Sequence, residues 1–487
     1  MLIGLVLSIP VVLSILSLMV RKEKIAGIVH TAGYVAMLAL FLCFMKGFLV
    51  SGAPVGLWGW IYLDALSVFF IFTTIVVSCA ASIYSIGYIC EEVAHKQITP
   101  RKARGYYQLF NLFCFTMVLA PMLNNLAFLW IAIEMTTLVS AFLVGFHNVK
   151  ESIEAAWKYI IICSVGITFA LLGIILFYYT SFEHAGTKSM EWAEMLSRSH
   201  LFDPAVVRIA LLFIFVGFGT KAGFAPMHNW LPDAHSQALS PISGLLSGVL
   251  LKISLYAILR FVVLAHASAG YAYSSGLFII FGICSLAVAA GFILVQKDLK
   301  RLLAYSSVEN IGLVSLGLGF GLCGAGIFPA LLHTFNHAVT KAFMFFCAGN
   351  AVRAFRSNNM HKMQGLFQLM PFTGAALFLG VFALAGLPPF SIFISKLLIL
   401  ISAFQGRNYA ASTFIFIFIA IAFAGLLHHI GRVVLGNKPH AMPRQREPLS
   451  SKAALLFLGV FMLGLGLYVP QSFSQLLAAC QKIILGQ

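Results

Sequence analysis

A chain of 487 residues with 61% hydrophobic and 9% charged side chains has too little polar surface to cover a water-soluble fold, so the sequence describes a polytopic membrane protein. The formal charge of +16 would suit nucleic acid, but Lys and Arg occupy short breaks between apolar runs instead of one basic face, which is a topology signal and argues against a nucleic-acid partner. Nine cysteines scattered without a CxxC pair support neither an iron–sulfur cluster nor a zinc site, so any redox centre is expected in another chain.

A membrane span needs about 20 apolar residues. Fourteen such runs are read in chain order: 2–20, 25–46, 60–88, 106–121, 123–146, 154–179, 205–227, 240–264, 272–294, 301–320, 324–349, 370–402, 409–433 and 453–475. The first is read as a span and not a signal peptide, because Arg21, Lys22 and Lys24 follow the apolar run and no small-x-small cleavage site is present. Of the 31 Lys and Arg, nineteen fall in odd-numbered loops, seven in even-numbered loops and the tail (Arg260 among them), and five within spans. The positive-inside rule then places odd loops in the cytoplasm and both termini outside. No connection exceeds roughly 25 residues, which leaves no room for a soluble catalytic domain. The expected organisation is one all-α membrane domain over 1–487: three spans in 1–100, a first repeat in 105–265, a second in 270–433 and a last span in 450–487.

Two spans are interrupted alike, by Gly223-Phe224-Ala225-Pro226 in the seventh and Gly386-Leu387-Pro388-Pro389 in the twelfth. Five spans separate them, and an odd displacement reverses orientation. Gly/Pro-broken spans in corresponding places point to inverted repeats, here spans 4–8 and 9–13, with broken helices 7 and 12.

Ionisable residues inside spans are the candidate site, since a lysine at mid-membrane costs about 2.5–3.5 kcal/mol even on the lenient insertion scale. Glu134 sits mid-run in the fifth span, with Lys221 as the nearest candidate cation or as a static partner. Lys158 is four residues after Glu154, an order that favours a structural pair, yet it lies a turn inside the apolar run. Lys252 is central in the eighth span. His333, His337 and Lys341 recur at four-residue steps on one face of the eleventh, suited to passing protons near neutral pH; packed core histidines are the alternative, and a metal is disfavoured because HTFNH lacks the glutamate of HExxH. Lys396 follows the second break and either ends the route or snorkels; His428 and His429 extend it weakly. In HNWLPDAH, Trp230 suggests an interface and Asp233 is placed to orient His228 or His235. Glu309 is a relay carboxylate or a partner of Lys300 or Arg301, and Asp64 a helix cap.

The stretches LWIAIEMTTL, GTKAGFAPMHNWLPDAHSQALSPISGLLSGVLLK, QKDLKRLLAYSSVENIGL and HTFNHAVTKAFMFF, spread over residues 105 to 400, resemble the antiporter-like membrane subunits shared by respiratory complex I, energy-conserving membrane-bound hydrogenases and multisubunit cation/proton antiporters. WKYIIICSVGI and SSVENIG most resemble the formate-hydrogenlyase type. The resemblance implies proton transfer with Glu134 and Lys221 as a coupled pair, Lys252 as the central lysine, His333, His337 and Lys341 as the relay and Lys396 as the ionisable group of the broken twelfth span, where some relatives carry glutamate. It implies no cofactor in this chain, with iron–sulfur clusters, flavin or a NiFe centre in partner subunits, other membrane-arm subunits and a peripheral redox arm as partners, and a bacterial or archaeal cytoplasmic membrane as the location. A long lateral amphipathic helix, found in the distal complex I subunit, is not expected. The alternatives are a subunit of a Mrp-type sodium/proton antiporter and a structural spacer without transport.

Overall fold

The hydrophobic runs fold as helices almost throughout a computed structural model that describes residues 2–20, 22–57, 59–437 and 442–487. Arg21 and Lys438, counted above among the loop charges, lie outside the described residues. In chain order the helices are α1 (Leu2–Met19), α2 (Glu23–Ser51), α3 (Ala65–Ala94), α4 (Pro100–Leu119), α5 (Leu126–Val144), α6 (Lys150–Ala185), α7 (Trp192–Ser197), α8 (Pro204–Ala222), α9 (Trp230–Gln237) and α10 (Ser240–Leu245). They continue as α11 (Leu251–Ala269), α12 (Tyr271–Val295), α13 (Leu299–Leu322), α14 (Ile327–Phe355), α15 (Leu366–Leu369), α16 (Pro371–Ala385), α17 (Ser391–Gln405), α18 (Tyr409–Leu435), α19 (Leu449–Leu467) and α20 (Gln471–Ile484). Among the described residues eleven helical segments are long and apolar enough to cross a membrane. The longer but more polar α4 and α14, and the broken pair α16/α17, bring the spans to fourteen. The protein is a multi-pass integral membrane protein.

The packing order repeats. α4–α5, α5–α6, α6–α8 and α8–α11 are neighbours in the first half, and α12–α13, α13–α14, α14–α16 and α16–α18 in the second. α3, α11, α13 and α14 form the buried centre, while α1, α2, α6, α12 and α18 turn apolar side chains outward. That arrangement suits a bundle whose outer solvent is lipid. α6 crosses α8 closely: a Cβ at Gly217 would lie 2.4 Å from the Ala170 nitrogen. Helices in a bilayer gain most from such close backbone approach through small residues. Gly217→Leu is therefore expected to cost roughly 1–3 kcal/mol or more and to lower the yield of assembled protein, read by size-exclusion profile and thermal midpoint.

Three points of the sequence reading are corrected. The third span starts at Ala65 rather than 60. Before it, Val55–Leu57 (β1) and Ile61–Leu63 (β2) pair antiparallel, Val55 opposite Leu63, because Gly and Pro at 52, 54, 56 and 59 turn the chain, and Asp64 caps α3 by accepting the Ser67 N–H at 3.0 Å. The last span ends at Leu467: Pro470 cannot continue a helix, and α20 is a separate amphipathic helix whose Phe473, Leu476, Leu477, Cys480 and Ile484 are buried. Arg260 is not in a loop but buried on α11.

Candidate functional site: a buried polar axis

Both helix breaks are built alike. Gly223 after α8 and Gly386 after α16 each take a φ of 84°, and each is followed three residues on by a cis-proline, Pro226 or Pro389. A left-handed residue ends a helix and leaves carbonyls to be satisfied by other means. At the first break Trp230 Nε1 donates to the Thr220 carbonyl at 2.8 Å. At the second, the Lys396 ammonium on α17 donates to the Leu384 and Ala385 carbonyls at 3.2 and 3.4 Å, the negative end of the α16 dipole. Lys221 precedes its break and Lys396 follows its own, so the two lysines hold different positions relative to the breaks.

Lys221 is fully buried and donates to the Ile133 carbonyl and, at 2.5 Å, to Thr137 Oγ1. Thr137 in turn donates to Glu134 at 3.2 Å, and Ser164 donates to the other carboxylate oxygen at 2.8 Å. The expected direct Glu134–Lys221 pair is thus replaced by a hydroxyl bridge, and Glu134 is half-buried midway along α5.

Lys252 lies just past a single π turn, Leu246–Leu250, between α10 and α11. Its ammonium donates to the Ser247 carbonyl within that turn, where the helical register is shifted. Ser247 Oγ lies 2.7 Å from Ser307 Oγ on α13. The next residue back, Ser306, accepts from Lys341 of α14, which also donates to the Leu303 carbonyl at 2.6 Å. Ser307 and Ser306, adjacent on α13, therefore lie between the lysine of the first half and that of the second, one against Ser247 and the other against Lys341.

On α14, His333 places Nδ1 2.9 Å from Ser395 Oγ and Nε2 3.2 Å from Asn310 Oδ1. The Asn310 amide reaches Glu309 at 3.3 Å, and Glu309 pairs with Lys396 at 3.1 Å. Both members of that pair are buried. His337 lies one turn along with its ring nearly parallel to His333, centroids 6.2 Å apart. Its two nitrogens are buried without a hydrogen bond among the described residues.

Other sequence expectations are corrected. Glu309 pairs with Lys396, not with Lys300, which donates to the Ala238 carbonyl at 2.8 Å, nor with Arg301, which pairs with Asp233. Asp233 orients neither His228 nor His235. It binds Arg301 and, at 3.4 Å, Lys158, which also pairs with Glu154 at 2.7 Å. This cluster is half-exposed and apart from the buried axis. Trp230 is buried against Tyr159 and not at an interface. His429 bonds the Leu294 carbonyl at 3.0 Å on the exposed side of α18, and His428 stacks edgewise on it. Thr137, Ser164, Ser247, Ser306, Ser307 and Asn310 were missed; the polar stretch SSVENIG inside a span was the signal for three of them.

Fourteen spans, two packing repeats broken at matching places and a polar axis at their centre define an antiporter-like membrane subunit. Residues 124–423 match the family described as NADH:quinone oxidoreductase/Mrp antiporter, TM, and the chain belongs to it. It is 34% identical over 453 residues, 92% of this chain and 91% of the relative, to a hydrogenase-4 component F homolog of Methylacidiphilum infernorum. Its fold matches a chain of an archaeal respiratory complex, the membrane-bound sulfane sulfur reductase, with TM-score 0.86, 24% identity and coverage of 99% and 97%. It also matches a chain of the Mrp complex of a Dietzia species with TM-score 0.82, 20% identity and the same coverage.

Proposed function

We propose that this chain is a proton-translocating membrane-arm subunit of a multisubunit redox complex of the hydrogenase or complex I type. Protons pass from Glu134 and Lys221 to Lys252, through Ser247, Ser307 and Ser306 to Lys341, and by His337 and His333 to the Glu309–Lys396 pair. The observation that carries this reading is the state of three lysines. Lys221, Lys252 and Lys341 are fully buried, and each is held by carbonyl or hydroxyl oxygens with no carboxylate in ion-pair range among the described residues. None of the three is locked in an ion pair, so no fixed counter-charge ties its proton in place. Sodium would require a cage of oxygen ligands, whereas ammonium groups line this axis. The hydrogenase-4 component F homolog supports a redox partner. Iron–sulfur clusters, flavin or a NiFe centre would then lie in partner subunits, beside other membrane-arm chains. The family resemblance suggests a bacterial or archaeal cytoplasmic membrane, and the loop charges support both termini outside.

The test is redox-driven acidification of proteoliposomes holding the assembled complex, read with a pH dye, with a protonophore in one arm and a sodium ionophore in another. Only the protonophore is expected to collapse the signal. Lys341→Met, which removes the ammonium and nearly keeps the volume, is expected to lower translocation by about 10²-fold or more with assembly intact. Undiminished translocation in the assembled variant would remove Lys341 from the route.

A further inference from the structure

Lys252, Tyr256 and Arg260 follow at four-residue steps on α11, so they share one face at about 6 Å intervals along the helix. Lys252 belongs to the axis. Arg260 lies two turns nearer the end of the molecule where α2 finishes and α3 begins. Its guanidinium is buried and donates to both Asp64 oxygens at 2.5 and 2.8 Å, to Ser67 Oγ at 2.8 Å and to the Tyr256 hydroxyl at 2.7 Å. It also lies 4.4 Å over the Trp192 ring. Beyond Asp64 opens a groove of about 740 Å³ whose lining includes Tyr62, Asp64, His266 and Lys482. Tyr256 and Arg260 therefore stand on one face of α11 between the central lysine, whose ammonium turns back to the Ser247 carbonyl, and a groove at the face that the loop charges assign to the outside.

Stability alone does not account for this pair. Replacing a buried ion pair by well-packed apolar side chains is often neutral or stabilising. What arginine adds is a charge that persists at every accessible pH. It cannot hand on a proton, and a fixed cation in a low-dielectric passage repels an approaching one, as in channels that exclude protons. The order matters: Arg260 lies on the Lys252 side of Asp64, which lines the groove, so a proton leaving Lys252 in that direction meets the cation before the carboxylate.

We propose that Arg260, held by Asp64, is an electrostatic seal that closes the short path from Lys252 to this groove and so sends protons laterally to Lys341. The inference rests on the proton-transfer reading, but its test needs no turnover. The assembled complex is placed in proteoliposomes, a potassium diffusion potential is imposed without redox substrates, and passive proton entry is followed with a pH dye. The double variant Asp64→Asn/Arg260→Met leaves no orphaned charge and is expected to raise the leak at least about tenfold, equivalent to about 1.4 kcal/mol off the barrier. Asp64→Asn alone keeps the cation and is expected to remain as tight as the parent, whereas Arg260→Lys, whose ammonium can release its proton, is expected to leak. A tight double variant, or an assembled Asp64→Asn that leaks, would overturn the seal; the second outcome decides the matter even where the double variant fails to assemble. Failure of the proton-transfer reading would show instead in turnover-driven acidification.

Discussion

Lys221→Ala is expected to abolish redox-driven proton translocation, a loss of about 10²–10⁴-fold, while the assembled complex is retained. The physical reason lies in the hydroxyl between two charges. Thr137 accepts from Lys221 and donates to Glu134, so the carboxylate is felt by the lysine without touching it. Two unit charges 4 Å apart interact by about 4 kcal/mol at an effective dielectric of 20. Drawing Glu134 closer would tighten the hold of Lys221 on its proton, and withdrawing it would release that proton toward Lys252. Alanine removes the switched group outright. Lys221→Met serves as the volume control and is expected to behave alike, which separates lost chemistry from a packing defect. Thr137→Val keeps both charges and deletes only the bridge, so its expected effect is smaller, a fall of about tenfold. Full acidification by an assembled Lys221→Ala complex would show that the conserved energy bypasses this lysine.

Spans and ionisable rows were legible because they are local. Twenty apolar residues spell a span, and His333, His337 and Lys341 at four-residue steps spell one face. The partners of those residues were not legible, because a partner depends on which helices meet. Glu309 has Lys300 and Arg301 nearby in sequence, yet it pairs with Lys396, 87 residues away, because α17 re-enters the bundle beside α13 after the second break. Asp233 is flanked by histidines but faces Lys158 and Arg301 from two other helices. Arg260 ends a run that resembles a span terminus, and only the approach of α3 shows that it is inside. Small hydroxyls were missed for another reason: a serine in a membrane helix commonly bonds its own backbone, and its sequence does not show whether it also meets a group on another helix, as Ser306 meets Lys341 and Ser307 meets Ser247. The α20 boundary needed the apolar periodicity after Pro470 to outweigh continuing hydrophobicity.

The second large effect is expected at Glu309. In the repeat pairing, α13 corresponds to α5, so Glu309 stands where Glu134 stands in the first half, yet their states differ. Glu309 is closed on Lys396 at 3.1 Å, while Glu134 is held off Lys221 by Thr137. Removing one partner of a buried pair leaves the other charge uncompensated, at a cost of about 3–5 kcal/mol. Glu309→Gln should therefore lower the thermal midpoint of the detergent-solubilised complex clearly. Glu309→Gln/Lys396→Met removes both charges and should recover most of that stability. Translocation should not recover with it, because the proposed route would lose its last ionisable groups. This ordering distinguishes a working pair from a structural one: a purely structural pair would let the double variant regain both stability and acidification. Conversely, a Glu309→Gln complex as stable as the parent would mean that Lys396 finds its compensation in the Leu384 and Ala385 carbonyls alone, and that the carboxylate contributes nothing at this end of the axis.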